Sequence, residues 1–202
     1  MPDATIDEFR GFYARCMAMA ARQLGWQNGC AFQTRLEGAF EALPRELFLP
    51  PGPWHVQVGF DGYVETPGTD VRYLYQDVRV AIDRERGINN GQPSLHARCM
   101  GRLEPRPGET VVHVGAGTGY YTAILSMLVA PGGRVDAFEL DHELAARARR
   151  NLQALDNVSV TVGDATKREL PEADVIYVNA GVTSPPPHWL TALRPGGRMF
   201  VP

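Results

Sequence analysis

The sequence predicts an α/β fold, a parallel sheet with helices on both faces, preceded by a helical and loop-bearing extension over residues 1–92. Three observations carry that expectation. Segments with strand and helix patterning alternate from Val111 to the end of the chain, and such alternation implies right-handed βαβ crossovers. The apolar run Val111-Val112-His113-Val114 passes straight into Gly115-Ala116-Gly117-Thr118-Gly119-Tyr120 and then into an apolar stretch ending at Val129, which reads as strand, tight turn and helix. Before residue 93, helical periodicity gives way to Pro- and Gly-rich sequence with no sustained period, so the extension stands outside the alternating pattern.

Length and charge narrow the classes. A chain of 202 residues suits one ordinary domain with an added segment, and is long enough to bury a core. Its formal net charge of −3 gives no general attraction to nucleic acid or to an anionic membrane, and no apolar stretch reaches spanning length. Neither nucleic acid nor membrane is an expected partner. Cys16, Cys30 and Cys99 are odd in number and far apart, a pattern that indicates neither a disulfide framework nor a zinc site. With Asp3, Asp7 and Glu8 ahead of any apolar run, the start does not resemble a secretory signal. A reducing cytoplasm is the expected compartment.

In the extension, Ile6, Phe9, Tyr13, Cys16, Met17, Ala20 and Leu24 recur at helical spacing and predict one buried helix face, ended by Gly25. A second helix is expected over residues 32–43, with Thr34 and Glu37 capping its start and Pro44 stopping it. The Met and aromatic stripe reads as core. Residues 50–68 read as an ordered loop anchored by Trp54 and Phe60. Partial alternation over residues 72–82 predicts one or two short strands, and Asn89-Asn90-Gly91 closes the polar stretch that follows as a turn. Pro93 opens a third helix, because its ring pre-sets φ and its missing N–H costs nothing in a first turn. Leu95, Cys99, Met100 and Leu103 form the expected buried side of that helix. Strands are then expected over 111–114, 134–138, 158–162, 173–178 and 198–201, and helices over 120–129, 143–155 and 186–193.

In such a sheet, ligands sit beyond the strand C-termini. Glycine permits positive φ and removes the Cβ atoms that would keep a ligand off the backbone. The glycines run G-x-G-x-G, whereas a dinucleotide fingerprint wants its third glycine at position 120, which holds Tyr. This spacing suits adenosylmethionine better than NAD. Glu139, closing the second strand ahead of Leu140, is placed to accept hydrogen bonds from both ribose hydroxyls of a nucleoside. A solvated acid opening the next helix is the competing reading. Asp164 and Asn179-Ala180-Gly181 fall at the same edge, where each also reads as an ordinary turn.

Residues 111–202 look like a class I S-adenosylmethionine-dependent methyltransferase, and the extension narrows the resemblance to the protein-L-isoaspartate O-methyltransferase family. Its carriers are Leu43-Pro44-Arg45-Glu46-Leu47-Phe48-Leu49-Pro50, similar to the family's Pro-Arg-x-x-Phe-x-Pro segment, then Tyr75-Gln76-Asp77, then Gln92-Pro93. The resemblance implies a Rossmann-like domain over 93–202 that binds S-adenosyl-L-methionine, with residues 1–92 on the substrate side. It implies that Gly115, Ala116, Gly117, Thr118 and Gly119 line the methionine part, with Tyr120 packed beside the cofactor. Glu139 would hold the ribose, with Leu140 beside it among the cofactor-binding residues, and Gly163-Asp164-Ala165 would meet the adenine, with Asp164 accepting from N6, while Asn179 would open the segment toward the acceptor. No metal is implied.

Three departures from the family pattern stand out. The family carries Thr-Ile-Ser directly before Gln-Pro, and its serine helps to arrange the acceptor; here Asn89-Asn90-Gly91 lacks the hydroxyl. Gly91→Ser is therefore expected to return isoaspartyl activity in part. Where the family has an acid two residues before the first glycine, this chain has His113, read as a buried, locally hydrogen-bonded histidine. Pro202 falls at the fifth strand of a fold that normally adds an antiparallel pair, so those strands are expected to be absent from residues 1–202, with either a longer natural protein or an unusually bare sheet edge as the reason.

The activity the resemblance implies is methyl transfer to a carboxylate of a protein or peptide. A carboxylate with a pKa of roughly 4 is ionised at neutral pH and needs no general base. Asn89, Asn90 and Gly91 are the acceptor-side candidates, since amides can donate to a carboxylate, although Asn-Asn-Gly also reads simply as a turn. His96, one helical turn after Gln92, faces either the site or the core. Two other readings stay open: a methyltransferase of this fold with a small molecule or modified peptide as acceptor, and a non-catalytic cofactor-binding protein.

Overall fold

A computed structural model of the chain describes residues 4–22, 30–59 and 62–202. It divides into two compact units, Met1–Arg102 and Leu103–Pro202. Leu24, Gly25 and Phe60 lie outside the described residues.

In the first unit, α1 (Ile6–Arg22) and α2 (Cys30–Ala42) pack together through Tyr13 and Met17 on one side and Phe32, Leu36 and Phe40 on the other, all buried. The rings of Tyr13 and Phe40 meet edge to face at 5.8 Å. Because α2 starts upstream of the expected residue, Thr34 lies inside the helix and cannot cap it with Glu37. The stretch 50–68 is not all loop. Strands β1 (His55–Gln57), β2 (Val64–Glu65), β3 (Arg79–Asp83) and β4 (Ile88–Asn89) form an antiparallel sheet in the order β2-β1-β3-β4. Strands of two or three residues are too short for a period of two to register. Trp54 does anchor the stretch, at 5% exposure, with Nε1 donating to Pro50 O at 2.8 Å. Over Val71–Leu74 the chain makes a 3-10 turn in place of the expected strand, because Asp70 caps it by accepting from Arg72 N. Helix α3 (Pro93–Leu103) begins at Pro93 as expected, but Leu95 is exposed, and His96 and Ala97 are buried beside Cys99, Met100 and Leu103.

The second unit holds β5 (Thr110–Val114), α4 (Tyr120–Val129), β6 (Arg134–Glu139), α5 (His142–Leu152), β7 (Val158–Val162), β8 (Ala173–Val178), α6 (Pro187–Ala192) and β9 (Leu193–Phe200). Its five strands are all parallel, in the order β7-β6-β5-β8-β9. This is the Rossmann-like sheet that the alternating pattern predicts. Strand β5 lies at its centre and is buried along its length, which is why it reads as a continuous apolar run. Val112, Val114, Phe138, Ile176, Val178 and Trp189 form one core cluster. Strand order reverses between β5 and β8, the place where this architecture leaves a crevice. Strand β9 begins earlier than its apolar residues suggest: Leu193 pairs with Ala173, the register shifts, and Arg198 then pairs with Val175. Pro195-Gly196-Gly197 in that irregular stretch masks the strand pattern. Among the described residues, no helix is long and apolar enough to cross a membrane.

Candidate functional site

At the C-terminal end of β5 the backbone enters the left-handed region three times, with φ of 81° at Gly115, 58° at Gly117 and 97° at Gly119. The three glycines serve different ends. A Cβ on Gly115 would lie 2.6 Å from Asn179 O, and one on Gly119 would lie 2.8 Å from Leu152 Cδ1, so these two positions permit close packing within the protein. At Gly117 a Cβ would meet nothing within 4 Å. That backbone is open to a ligand. The turn is held by Gly115 N and Ala116 N, which donate to Phe138 O at 2.9 and 3.1 Å, and by Asn151 Nδ2, which donates to Thr118 O at 2.8 Å. Thr118 and Tyr120 are buried.

Glu139, at the end of β6, is 8% exposed. Its Oε2 accepts from Gly117 N at 2.6 Å and its Oε1 from Asp141 N at 3.0 Å. An ionised carboxylate has about four lone-pair directions, so two remain for a diol. Leu140, the next residue, is 66% exposed and offers bare apolar surface. Gly163 N donates to Glu139 O at 2.8 Å, which joins the ends of β6 and β7. Asp164 caps the short turn after β7: its Oδ1 accepts from Thr166 N at 3.0 Å and Thr166 Oγ1 at 2.6 Å, and its Oδ2 meets Lys167 Nζ at 3.1 Å. These Thr166 and Lys167 contacts hold the Asp164 carboxyl down at about 2, and one lone-pair direction on Oδ2 remains. Ala165 is buried and its carbonyl accepts from Trp189 Nε1 at 3.0 Å. Asn179 N donates to Val114 O at 2.8 Å at the end of β8. Spare lone pairs, uncovered backbone and an apolar side chain at one sheet edge fit the sugar, amino-acid tail and base of an adenosyl compound.

His113 takes no part in that edge. It is fully buried in β5, with Nδ1 2.9 Å from Thr122 Oγ1 on α4 and its ring 5.3 Å from that of Tyr177. Burial pushes its pKa down to about 3, so the ring is neutral at pH 7, the locally bonded histidine that the sequence suggests.

The acceptor-side candidates belong to the first unit. Asn89 Oδ1 accepts from Gly91 N at 2.9 Å and closes a side-chain turn. Gly91 has φ of 73°, and a Cβ there would lie 2.1 Å from His96 Nε2. Asn90 is turned inward, with Oδ1 accepting from Arg45 Nη2 at 3.0 Å and Val80 N at 3.1 Å. Arg45 is fully buried and also donates to Leu74 O at 2.7 Å, Gln76 O at 3.2 Å and Val78 O at 2.6 Å. Asp77 accepts from Ser94 N and Gln92 Nε2, both at 2.8 Å, and so caps α3 from a distance. Both residues stand in recognisable motifs, but nothing in sequence patterning marks a lone arginine as buried or an aspartate as a cap for a helix many residues on.

The family model for protein-L-isoaspartate(D-aspartate) O-methyltransferase matches residues 23–202. A protein-L-isoaspartate O-methyltransferase of Aeropyrum pernix is 36% identical over 181 residues, covering 87% of this chain and 62% of that protein. One of Methanopyrus kandleri is 43% identical over 133 residues, covering 61% of this chain and 59% of that protein. The chain thus spans about three fifths of the length of these relatives. Among solved structures, a protein-L-isoaspartate O-methyltransferase matches with a TM-score of 0.70 at 28% identity, over 94% of this chain and 55% of that one. A putative Plasmodium falciparum protein of the same name, in complex with S-adenosyl-L-homocysteine, matches with a TM-score of 0.67 at 17% identity, over 94% of this chain and 83% of that one, a likeness of fold. With a model match over nearly the whole sequence, the chain belongs to the protein-L-isoaspartate(D-aspartate) O-methyltransferase family.

Proposed function

We propose that this protein is an S-adenosyl-L-methionine-dependent O-methyltransferase acting on a carboxylate of a protein or peptide, with an isoaspartyl residue as the acceptor its family points to. The observation that carries the reading is the Glu139 carboxylate joined to Gly117 N–H where the glycine turn lies open. When bound, the cofactor supplies a methyl group on a sulfonium. Glu139 takes the ribose hydroxyls on its remaining lone pairs, and Gly117 leaves the main chain bare for the amino-acid tail, whose carboxylate suits the positive end of α4. Leu140 and Ala165 flank the adenine, and Asp164 Oδ2 accepts from its N6. Tyr120, Gly115, Gly119, Gly163 and Asn179 shape the turn and strand ends around these groups. Since the acceptor carboxylate is already ionised, no side chain needs to remove a proton; alignment and exclusion of water contribute on the order of 7–11 kcal/mol. Asn89, Asn90 and Gly91, in the first unit, serve the acceptor.

A second reading, with a small molecule or a differently modified peptide as acceptor, is favoured by one observation: the His96 ring fills the space a side chain at position 91 would need. The free thiols of Cys16 and Cys99 suit the reducing cytoplasm we propose as compartment. The test is transfer of labelled methyl to an isoaspartyl peptide, to the aspartyl peptide of the same sequence, and to a cell extract. Transfer confined to the isoaspartyl peptide supports the first reading, and transfer to an extract component alone supports the second. Tight S-adenosyl-L-homocysteine binding with no transfer would identify a non-catalytic binder.

A further inference from the structure

We propose that His188, with Trp189, is a positioning residue for the base of the cofactor: the two rings pin the peptide group between Ala165 and Thr166, and that peptide group aims the Asp164 carboxylate at N6 of adenine. The inference rests on the functional reading above and traces its base specificity to a contact made from α6.

The contact begins at one carbonyl. Ala165 O accepts from Trp189 Nε1 at 3.0 Å and lies 3.1 Å from His188 Nε2. A carbonyl can only accept, so the His188 ring carries a proton on Nε2. Two N–H groups then occupy both lone pairs of a single oxygen. The other end of the same peptide group is Thr166 N, which donates to Asp164 Oδ1 at 3.0 Å. A peptide group is planar and stiff, so fixing its oxygen fixes the direction of its N–H and, with it, where Asp164 Oδ1 comes to rest. Donation into the carbonyl also polarises the group and makes Thr166 N–H a stronger donor.

The other partners of Asp164 cannot supply that reference. Thr166 Oγ1 donates to Oδ1 at 2.6 Å and Lys167 Nζ meets Oδ2 at 3.1 Å, but both residues belong to the short turn that Asp164 caps and travel with it. Helix α6 is anchored outside the turn. Trp189 is fully buried in the core cluster of the second unit, and its backbone N donates to Pro186 O at 2.9 Å. Pro185, Pro186 and Pro187 lead into the helix, each with φ fixed by its ring. Donors on so stiff a lead do not follow the turn; the turn follows them. The Asp164 carboxyl, held at about 2, is ionised and accepts only, so its spare direction on Oδ2 welcomes an amino group and repels an oxygen. A base with N6 is thereby told from one with a carbonyl at the same place.

The test compares S-adenosyl-L-homocysteine with S-inosyl-L-homocysteine, whose base carries an oxygen in place of the N6 amino group. In calorimetric titration the wild-type protein should favour the adenosyl compound roughly 10- to 100-fold. In His188→Ala, and separately in Trp189→Phe, which keeps the apolar bulk, that preference should fall roughly 3- to 10-fold, while His188→Gln, which presents an amide N–H in place of the ring, should recover most of it. A merely structural role would lower the thermal transition, or weaken both compounds alike, and leave the ratio where it was. An unmoved ratio overturns the proposal and leaves the methyltransferase reading intact. Should the variants fail to fold, the wild-type protein decides: its His188 Nε2 resonance should shift more with the adenosyl than with the inosyl compound, and equal shifts overturn the assignment. Wild-type protein that binds both compounds equally overturns the Asp164 contact and the relay built on it, and wild-type protein that binds neither overturns the functional reading as well.

Discussion

Gly117 and Gly119 stand two residues apart in the same turn, yet substitutions there should fail in different assays. At Gly117 a side chain enters empty space, in a backbone region that costs a β-branched residue about 1–2 kcal/mol. Gly117→Val should therefore stay folded and lose S-adenosyl-L-homocysteine binding in a calorimetric titration; wild-type affinity in that variant would mean the ligand lies elsewhere. Gly119→Ala drives a methyl group into Leu152 and should lower the melting temperature instead. Glu139→Ala removes the partner of both Gly117 N and Asp141 N, and should weaken cofactor binding by roughly 1.5–3 kcal/mol. At position 91 the geometry argues against the expectation drawn from sequence. A serine there, which the family pattern suggests would return isoaspartyl activity in part, would be strained at φ of 73° with its Cβ 2.1 Å from His96 Nε2. The single substitution should lower the melting temperature with no gain in methyl transfer to an isoaspartyl peptide, whereas Gly91→Ser with His96→Ala removes the overlap. A gain from Gly91→Ser alone would show that the ring moves aside at little cost.

Most elements of the second unit, β9 excepted, were legible in the sequence because each is long enough to show its period. Strand β5 is apolar at Val111, Val112 and Val114, the expected helix over 143–155 overlaps most of α5, and Glu139 falls at a strand end that could be counted from the glycine turn. Legibility failed where tertiary contacts decide. The sheet β2-β1-β3-β4 rests on pairings between distant stubs, the 3-10 turn at Val71–Leu74 rests on a local Asp70 cap, and Asn90 points inward because a buried Arg45 holds it there. A further long-range device ties the edge strand β9 to the residues that lead into β5. Arg198 of β9 makes two hydrogen bonds to the Glu109 carboxylate, at 2.8 and 2.7 Å, and donates to the carbonyls of Leu103 at 2.7 Å and Glu104 at 3.1 Å. Both partners are largely buried but keep some solvent contact. Arg198→Ala should cost about 2–3 kcal/mol, less than breaking a fully buried pair, and Glu109→Gln should cost less because it keeps an oxygen for one of the two bonds. Urea denaturation of the two variants measures the difference; equal losses would show that the carbonyl contacts of Arg198 contribute nothing.

Across the whole molecule, acid sensitivity should trace to one side chain that the proposed chemistry does not use. His113 is buried in the central strand with a pKa near 3, against an ordinary value of 6.5. Its folded pKa is the lower one, so between those values the unfolded chain binds a proton that the folded chain refuses, and acid favours unfolding. The stabilising contribution is complete above pH 6.5 and falls by about 1.4 kcal/mol per pH unit as pH drops toward 3. Asp164 acts in a lower window: its carboxyl is held at about 2 against an ordinary 3.8, so its contribution is complete above pH 3.8 and is lost as the pH falls from there to about 2. The interval from pH 6.5 to 4 is thus free of Asp164 and carries the His113 signal. In His113→Val the strand keeps a β-branched residue like its neighbours and loses the titrating ring together with the Thr122 hydrogen bond. That variant should start less stable at pH 7 and then lose stability more slowly than wild type as the pH is lowered to 4, so the two urea-midpoint curves converge. Parallel curves across the interval would mean that His113 is protonated in the folded protein and that the centre of the sheet admits a charge.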